Sequence, residues 1–572
     1  MYEHADFFAI IGRGTKTRSV LIMANTATYN LIIPGIMKKL LLLLILFSMQ
    51  QVAWAQANCP IIPLPAAYKN TPGSFTIDAQ TNLFVGQPEL YPIANFLQRE
   101  ILKHTGMTIP ILTRQAKNTI SLELKKAKNA RPEAYYLAIN ASGTQISAAA
   151  PHGVFNGVNS LLQLIRQAPV QAKNITLSGW EITDAPALAW RGVMLDESRF
   201  FFGKETVKEI LDWMAFYKLN RFHWHLTDTP GWRLEIKSYP RLALVGGVGN
   251  HGNPDVPAQY YTQEDIKEIV SYAAERFIEV IPEIDMPGHA AAANRAYPEF
   301  SGGGSERYPE FTFNPGKEET YGYLTRILKE VDVLFPAKKI HLGGDEVHFG
   351  NKQWQTNQAV QQLMQAQKLP DLKAVEFYFI QRMTDSLSKL NSKILAWDEV
   401  VSAALPVKNT IIFWWRHDQP QQLKLALEKG YQTVLCPRIP FYLDFVQDSS
   451  HFSGRRWKGD YSSLEKLYNF STAAFPGIIT EKNKNLVAGI QAALWTETIS
   501  SKKRLEFMLF PRISALAEAA WTPPGSRNFG TFKTRLTKHL ELYRQQDIYF
   551  YNPLQPASRP EVIDIFENKP IE

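Results

Sequence analysis

Trp190-Arg191-Gly192-Val193-Met194-Leu195-Asp196 is an apolar run of strand length that ends on an acid. Shortly after it, Val207, Ile210, Leu211 and Met214 fall at i, i+3, i+4 and i+7, which puts them on one face of a helix. A buried strand followed by an amphipathic helix is one β/α unit. The same alternation continues downstream, with strand-like runs at Arg221–Leu226, Glu279–Ile284, Lys339–Leu342, Ile394–Trp397, Thr410–Trp414, Thr433–Cys436 and Leu486–Ala492. Eight such units, with helical stretches between most of them, predict an α/β fold: a closed parallel (β/α)8 TIM barrel over residues 186–550. An amphipathic helix over Asn528–Gln546 closes it, and residues 551–572 form a Pro-containing tail.

Upstream, Asp184-Ala185-Pro186-Ala187 marks a junction. Residues 59–185 read as a small α+β domain, with strands at Ser74–Ile77, Thr119–Leu124, Tyr135–Ile139 and Gln145–Ala149 and helices at Leu90–His104 and Gly153–Arg166. No cluster of titratable residues with catalytic spacing stands out in it. Earlier still, Met37-Lys38-Lys39, the apolar run Leu40–Phe47 and the small-residue site Ala53-Trp54-Ala55 describe a signal peptide over residues 37–55. The run is too short for a lasting membrane span. Export to the periplasm, cell surface or medium is therefore expected. Residues 1–36 do not fit a signal peptide's charged start and read as a processed or non-native leader. Cys59 lies close behind the apolar run, as in lipid-anchored proteins, although Asn58 is a poor residue for such a site.

Composition excludes several classes. The 572 residues are 45% hydrophobic and 20% charged, ordinary for a globular protein. The net charge is +8, and residues 1–55 carry five of the 62 Lys/Arg and two of the 54 Asp/Glu, so the remainder holds only +5. No basic stripe interleaved with aromatics occurs, which argues against nucleic acid as a partner. Cys59 and Cys436 leave one disulfide open as a pairing but make no framework, and no zinc-ligand cysteine spacing is present. The 13 Trp suit a sugar cleft, though large cores use Trp as readily.

Barrel active sites lie at the carboxyl ends of the strands. In order, those ends carry Asp196, Glu197 and Arg199; Asp228; Asp285 and His289; Gly343-Gly344-Asp345-Glu346; Trp397-Asp398; Trp415; Tyr442 and Asp444; and Trp495 and Glu497. Carboxylates among aromatics, without a metal-ligand constellation, suggest glycoside chemistry, which needs an acid for the leaving oxygen and a group to stabilise a cationic anomeric carbon. Neighbours on a regular strand point to opposite faces. Gly343 and Gly344 permit a bend that would turn both Asp345 and Glu346 into the cleft.

At these residues the chain resembles glycoside hydrolase family 20, the β-N-acetylhexosaminidases. The resemblance rests on Trp190–Asp196, the run from His223 to Arg233, Pro282–His289, His341-Leu342-Gly343-Gly344-Asp345-Glu346, Trp397-Asp398-Glu399, Tyr442-Leu443-Asp444 and Leu494-Trp495-Thr496-Glu497, and it extends over roughly residues 61–550. It implies a retaining, substrate-assisted mechanism in which the 2-acetamido oxygen of the sugar is the nucleophile. Glu346 would be the general acid and then base. Asp345 would orient the acetamido N–H and stabilise its charge. Tyr442 would bond the acetamido oxygen. Trp397, Trp415 and Trp495 would wall the pocket, and Trp415 is preferred to Trp414 by its place at the strand end. Arg191 and Glu497, helped by Asp444, would hold the sugar hydroxyls and close the non-reducing end. Asp228 and His289 would support the acid pair. No cofactor or metal is implied, and the partner is a glycan or chitooligosaccharide. Phe200 departs from the His many relatives carry there, and the charged loop Arg455–Asp460 either shapes the leaving-group side or is a solvated surface loop. Release of a disaccharide, a sugar-binding barrel without activity, and a two-carboxylate retaining glycosidase are the competing readings.

Overall fold

The computed structural model describes residues 59–126, 131–171 and 173–563, and the backbone of residues 570–571. The leader, the signal peptide and the last part of the tail lie outside the described residues.

The barrel strands are β1 Trp190–Asp196, β2 Arg221–His225, β3 Glu279–Glu283, β4 Lys339–His341, β5 Lys393–Trp397, β6 Thr410–Trp414, β7 Gln432–Leu435 and β8 Val487–Leu494. They pair in parallel in chain order, and β8 pairs with β1 to close the barrel. Each is almost wholly buried because one face looks into the barrel and the other onto the helical layer, so the strands read as continuous apolar runs. Helices Lys204–Phe216, Gln263–Ala274, Glu318–Leu334, Leu372–Ser388 and Pro420–Glu428 belong to the outer layer. A reciprocal cap starts the second: Thr262 Oγ1 accepts the Asp265 N–H and Asp265 accepts the Thr262 N–H, both at 3.1 Å. Between β5 and β6 the connection is made of 3-10 turns at Asp398–Ala403 and Val407–Asn409.

Inside the barrel, alternation selects one set of side chains. Trp190 and Met194 of β1, Leu395 and Trp397 of β5, Ile411 and Phe413 of β6 and Val434 of β7 pack together there. Val193 and Leu195 of β1 join the outer core instead. Arg191 shares their parity. It points out of the barrel, near the amino end of the strand.

The amino-terminal domain is a seven-stranded mixed sheet. Its order is Ala67–Ile77, Ile175–Asp184, Tyr135–Asn140, Gly143–Ala148, Thr119–Leu124, Asn82–Val85, Ile111–Leu112. Helix Pro151–Gln167 is buried from Gly153 to Ile165 because it lies between this sheet and the barrel, where Gln163 Nε2 donates to the Phe216 carbonyl at 2.8 Å. The carboxy-terminal helix Phe529–Gln545, capped by Asn528, ties the two regions again: Arg535 pairs with Glu518 at 2.6 Å and donates to the Ile61 carbonyl. Cys59 and Cys436 are both buried free thiols, which overturns the disulfide left open by the sequence. No helix among the described residues is long and apolar enough to cross a membrane.

Candidate active site

The carboxyl ends of the barrel strands surround a cavity of about 770 Å³. Asp345 and Glu346 both line it, and the backbone shows how adjacent residues manage this. After β4 ends at His341, Gly343, Gly344 and Glu346 all take left-handed conformations, with φ of 67°, 86° and 52°. Two glycines adopt this without strain, whereas Glu346 holds a conformation that costs a non-glycine residue of order 1 kcal/mol or more. A Cβ on Gly343 would lie 1.8 Å from Asp285 Oδ1, so no other residue fits there.

Tyr442, Asp444, Trp397, Trp415, Trp495, Glu497, Asp228 and His289 line the same cavity. Trp415 and Tyr442 stack at 6.2 Å with ring planes 10° apart, and Trp495 lies 6.0 Å from both Tyr442 and Trp397. Together they form an aromatic box beside Asp345. Trp414 turns away, buried against Phe475 in the outer layer. The turn bearing Tyr442 and Asp444 is held from behind by Arg512, whose buried guanidinium donates to the carbonyls of Leu443 at 2.5 Å and Phe445 at 2.9 Å.

Arg191 is not there. Its guanidinium is fully buried at the opposite end of the barrel, bonded to the Leu188 and Lys218 carbonyls and paired with Glu133 of the amino-terminal domain at 2.6 Å. It joins the domains. Strand parity and depth forbid it from reaching the cleft. The residue in its place is Arg199, beyond the end of β1, which sits 2.7 Å from Asp228 and 3.6 Å from Glu497. Asp196 fixes both sides of this contact: Oδ1 accepts the Arg199 N–H and Oδ2 the Thr496 N–H. The signal for Arg199 was in the sequence, since it follows a strand end while Arg191 lies near a strand beginning. Arg191→Ala is expected to cost about 3 kcal/mol of stability, as for one broken buried pair, with KM unchanged. Arg199→Ala is expected to lower kcat/KM by about a hundredfold or more, since the buried carboxylates of Asp228 and Glu497 each lose a cationic partner. Chemical denaturation and steady-state kinetics on both variants check the exchange of roles, and a raised KM in Arg191→Ala would contradict it.

The loop Arg455–Asp460 also reaches the site. Arg455, Arg456 and Trp457 line the cavity, and Arg455 lies 3.2 Å from Glu497 and 3.5 Å from Asp444. Further lining comes from Tyr308, Phe311 and Phe349, which no motif announced. Phe200 is buried, edge-on to His251.

A buried hydrogen-bonded chain leads up to the acid pair. Glu283 Oε2 lies 2.6 Å from His225 Nδ1, His225 Nε2 lies 3.0 Å from Asp228 Oδ2, and Asp228 Oδ1 lies 2.9 Å from His289 Nδ1. His289 Nε2 then faces Glu346 at 3.6 Å and Asp345 at 3.7 Å. Burial opposes charge throughout. It is overcome at Asp228, held well below the carboxylate range by Arg199 and His289, and at His289, where Asp228 and Asp345 lift the imidazole to about 9. It wins at the pair itself: burial pushes Asp345 up to about 8 and raises Glu346, with His289 opposing and Glu399 reinforcing in both. Glu497 is brought down to about 2, against burial, by Arg199 and Arg455. His223, Glu283 and His341 come within ligand-atom reach of one another inside the barrel. Glu283 is already bonded by His225 and, at 2.8 Å, by Trp397 Nε1, so this cluster reads as a hydrogen-bond network.

Two consequences follow for pH. The stability His289 adds is complete below about pH 6.5 and is lost as pH rises through about 9, the sign for a histidine with a raised pKa. Because the imidazolium lowers the pKa of Glu346, His289→Gln is expected to move the alkaline limb of the kcat/KM profile to higher pH. A limb that stays put or moves to lower pH would contradict the coupling.

Asp345 Oδ1, His289 Nε2, both carboxylate oxygens of Asp444 and Glu497 Oε2 are buried without a hydrogen-bond partner among the described residues. Buried polar atoms are normally satisfied. Here they converge on one cavity beside an aromatic box, which is how a site for a hydroxyl-rich ligand is built. Carboxylates and tryptophans gathered at the carboxyl ends of a closed β/α barrel, with the buried acid pair Asp345 and Glu346 both raised, define a glycoside hydrolase.

The sequence matches the glycosyl hydrolase family 20 catalytic domain over residues 188–524 and domain 2 of the same family over residues 58–185. It is 33% identical over 520 residues to a beta-hexosaminidase of Porphyromonas gingivalis, covering 88% of this chain and 66% of that one. It is 32% identical over 482 residues to a beta-hexosaminidase of Vibrio furnissii, covering 81% of this chain and 76% of that one. The structure of a GH20 exo beta-N-acetylglucosaminidase from Vibrio harveyi in complex with N-acetylglucosamine superposes with a TM-score of 0.80 at 31% identity, covering 87% of this chain and 79% of that one. The chain belongs to glycosyl hydrolase family 20.

Proposed function

We infer that the protein is an exo-acting β-N-acetylhexosaminidase that removes terminal N-acetylglucosamine or N-acetylgalactosamine from glycans with retention of configuration. The observation that carries this is the placing of Asp345 and Glu346 side by side at the rim of a Trp397–Trp415–Tyr442–Trp495 box. Adjacent acids cannot flank a glycosidic bond as acid and nucleophile. They can divide the work if the substrate supplies the nucleophile.

In the first step the acetamido oxygen bonds to the anomeric carbon, the bond to the leaving oxygen breaks, and the proton of Glu346 passes to that oxygen. The acetamido N–H points at Asp345 Oδ1, and Tyr442 donates to the acetamido oxygen. In the second step Glu346 takes a proton from water, which attacks the anomeric carbon and opens the oxazolinium ring. The raised Glu346 suits the acid role. Asp345 is also raised in the unliganded cleft, but an N–H donated to it and the positive charge growing there favour its ionised form, leaving the proton on Glu346. Arg199, Asp444 and Glu497 hold the hydroxyls, and with Arg455 they close the non-reducing end. That closure supports release of single sugars.

Turnover of aryl β-glycosides of N-acetylglucosamine, N-acetylgalactosamine and glucose tests this reading. The two acetamido sugars should be hydrolysed and the glucoside left almost untouched; appreciable turnover of the glucoside would sink the reading. The charged start, apolar run and Ala53-Trp54-Ala55 site support export to the periplasm, cell surface or medium. A fractionation experiment that finds the protein in the cytoplasm would oppose it.

A further inference from the structure

The cleft does not stop at Glu346. The turn after the acid, Val347–Phe349, brings Phe349 onto Tyr308, with ring centres 5.7 Å apart and planes 18° apart. This stack stands beside the acid: the Phe349 N–H donates to the Glu346 carbonyl at 2.9 Å, and both rings line the cleft. Past Tyr308 lies a second cavity of about 870 Å³, and Thr229, Arg307 and Tyr308 line both. Its size is within the roughly 300–1,000 Å³ of small-molecule sites.

The second cavity is built for hydroxyl groups. Asn294, Gln353, Thr356 and Asn357 line it beside the charged Arg295 and Glu310; Gln353 Oε1 accepts the Gly304 N–H and Asn357 Oδ1 caps a helix, so these two amides offer their N–H groups to the groove. Asn294 is 1% exposed; its amide nitrogen bonds the Glu310 and Thr312 carbonyls, which leaves its Oδ1 buried and unpartnered among the described residues. Gly302 and Gly303 let its wall pack closely: a Cβ on Gly303 would meet Gln353 Oε1 at 1.9 Å, and one on Gly302 the Phe313 carbonyl at 2.4 Å. At the junction, Arg307 makes no hydrogen bond or ion pair among the described residues and lies 5.4 Å from the centre of the Tyr308 ring. A planar donor fork beside an aromatic face suits a sugar that packs on the ring and accepts bonds at its edge.

We propose that this groove binds the reducing-side sugars of an oligosaccharide, beyond the unit that contacts Glu346, so that the enzyme favours linear chains of three or more units over short glycosides. The proposal rests on the hexosaminidase reading. An ordinary aryl N-acetylglucosaminide fills only the inner cleft and serves as the internal reference.

The test measures kcat/KM for β-linked N-acetylglucosamine oligomers of two to five units, each divided by the value for the aryl glycoside. In the unaltered enzyme the ratio should rise by roughly tenfold between dimer and tetramer, the equivalent of one or two net hydrogen bonds. Thr356→Trp, which fills the exposed part of the groove, and Arg307→Ala should each flatten that rise. A flat series in the unaltered enzyme, or an equal rise in both variants, would overturn the proposal. An enzyme that hydrolyses neither the aryl glycoside nor any oligomer would instead overturn the hexosaminidase reading.

Discussion

Glu346→Gln is expected to lower kcat/KM on oligosaccharides by roughly 10²–10⁴, the usual worth of a general acid. The loss should shrink sharply on aryl glycosides whose leaving groups need no proton. The substitution preserves shape and the left-handed backbone at residue 346, so the fold should survive and unfolding temperature should change little. What it removes is a proton held in place by burial and by Glu399, at 3.6 Å from the imidazolium of His289. The dependence on the leaving group separates this role from a structural one, because a distorted cleft would slow all substrates alike. Equal activity of variant and parent on a poor leaving group would remove Glu346 as the acid.

Asp345→Asn should show the complementary pattern, with a loss of roughly 10²–10³ on every substrate, good leaving groups included, comparable to removing one preorganised electrostatic contact. Asparagine can still accept the acetamido N–H. It cannot balance the positive charge that forms on that nitrogen. Asp345 Oδ1 is buried and unpartnered, so this charge contact is made only when the acetamido group arrives. Rates close to the parent with a dinitrophenyl leaving group would take Asp345 out of the mechanism.

Much of this was legible in the sequence for a physical reason. Barrel strands are buried on both faces, so most of them stand out as short runs rich in apolar residues, and all eight lie within a residue or two of their expected limits. The acid pair was legible because two glycines before it gave the chain a means to bend. Trp415 could be separated from Trp414 by position at the strand end, and strand parity places them on opposite faces. The same parity places Arg191 on the outer face, near the wrong end of its strand, so the resemblance points to the wrong arginine where the strand register points to Arg199. Tyr308, Phe311 and Phe349 were not legible as site residues, and Arg455 was legible only as part of a charged loop whose role stood open between the cleft and the surface. They reach the cleft on loops whose paths are set by long-range packing, such as the Ser305 hydroxyl on the Phe349 carbonyl and the Arg455 N–H on the Asp444 carbonyl, and no local pattern encodes such contacts. The polar chain from Glu283 to His289 was half legible. Asp228 and His289 were expected as support, whereas His225 and Glu283 follow the inward parity of their strands and become partners only when β2 and β3 lie side by side.

The claim on which the rest depends is that the substrate's own acetamido oxygen attacks the anomeric carbon. Progressive fluorination of the N-acetyl methyl group weakens that oxygen as a nucleophile while leaving the sugar ring and the leaving group unchanged. Measured across the acetyl, fluoroacetyl, difluoroacetyl and trifluoroacetyl series of one aryl glycoside, log kcat should fall steeply and linearly with the electron-withdrawing power of the acyl group. A series with no slope would mean that a group of the protein, and not the substrate, attacks the anomeric carbon.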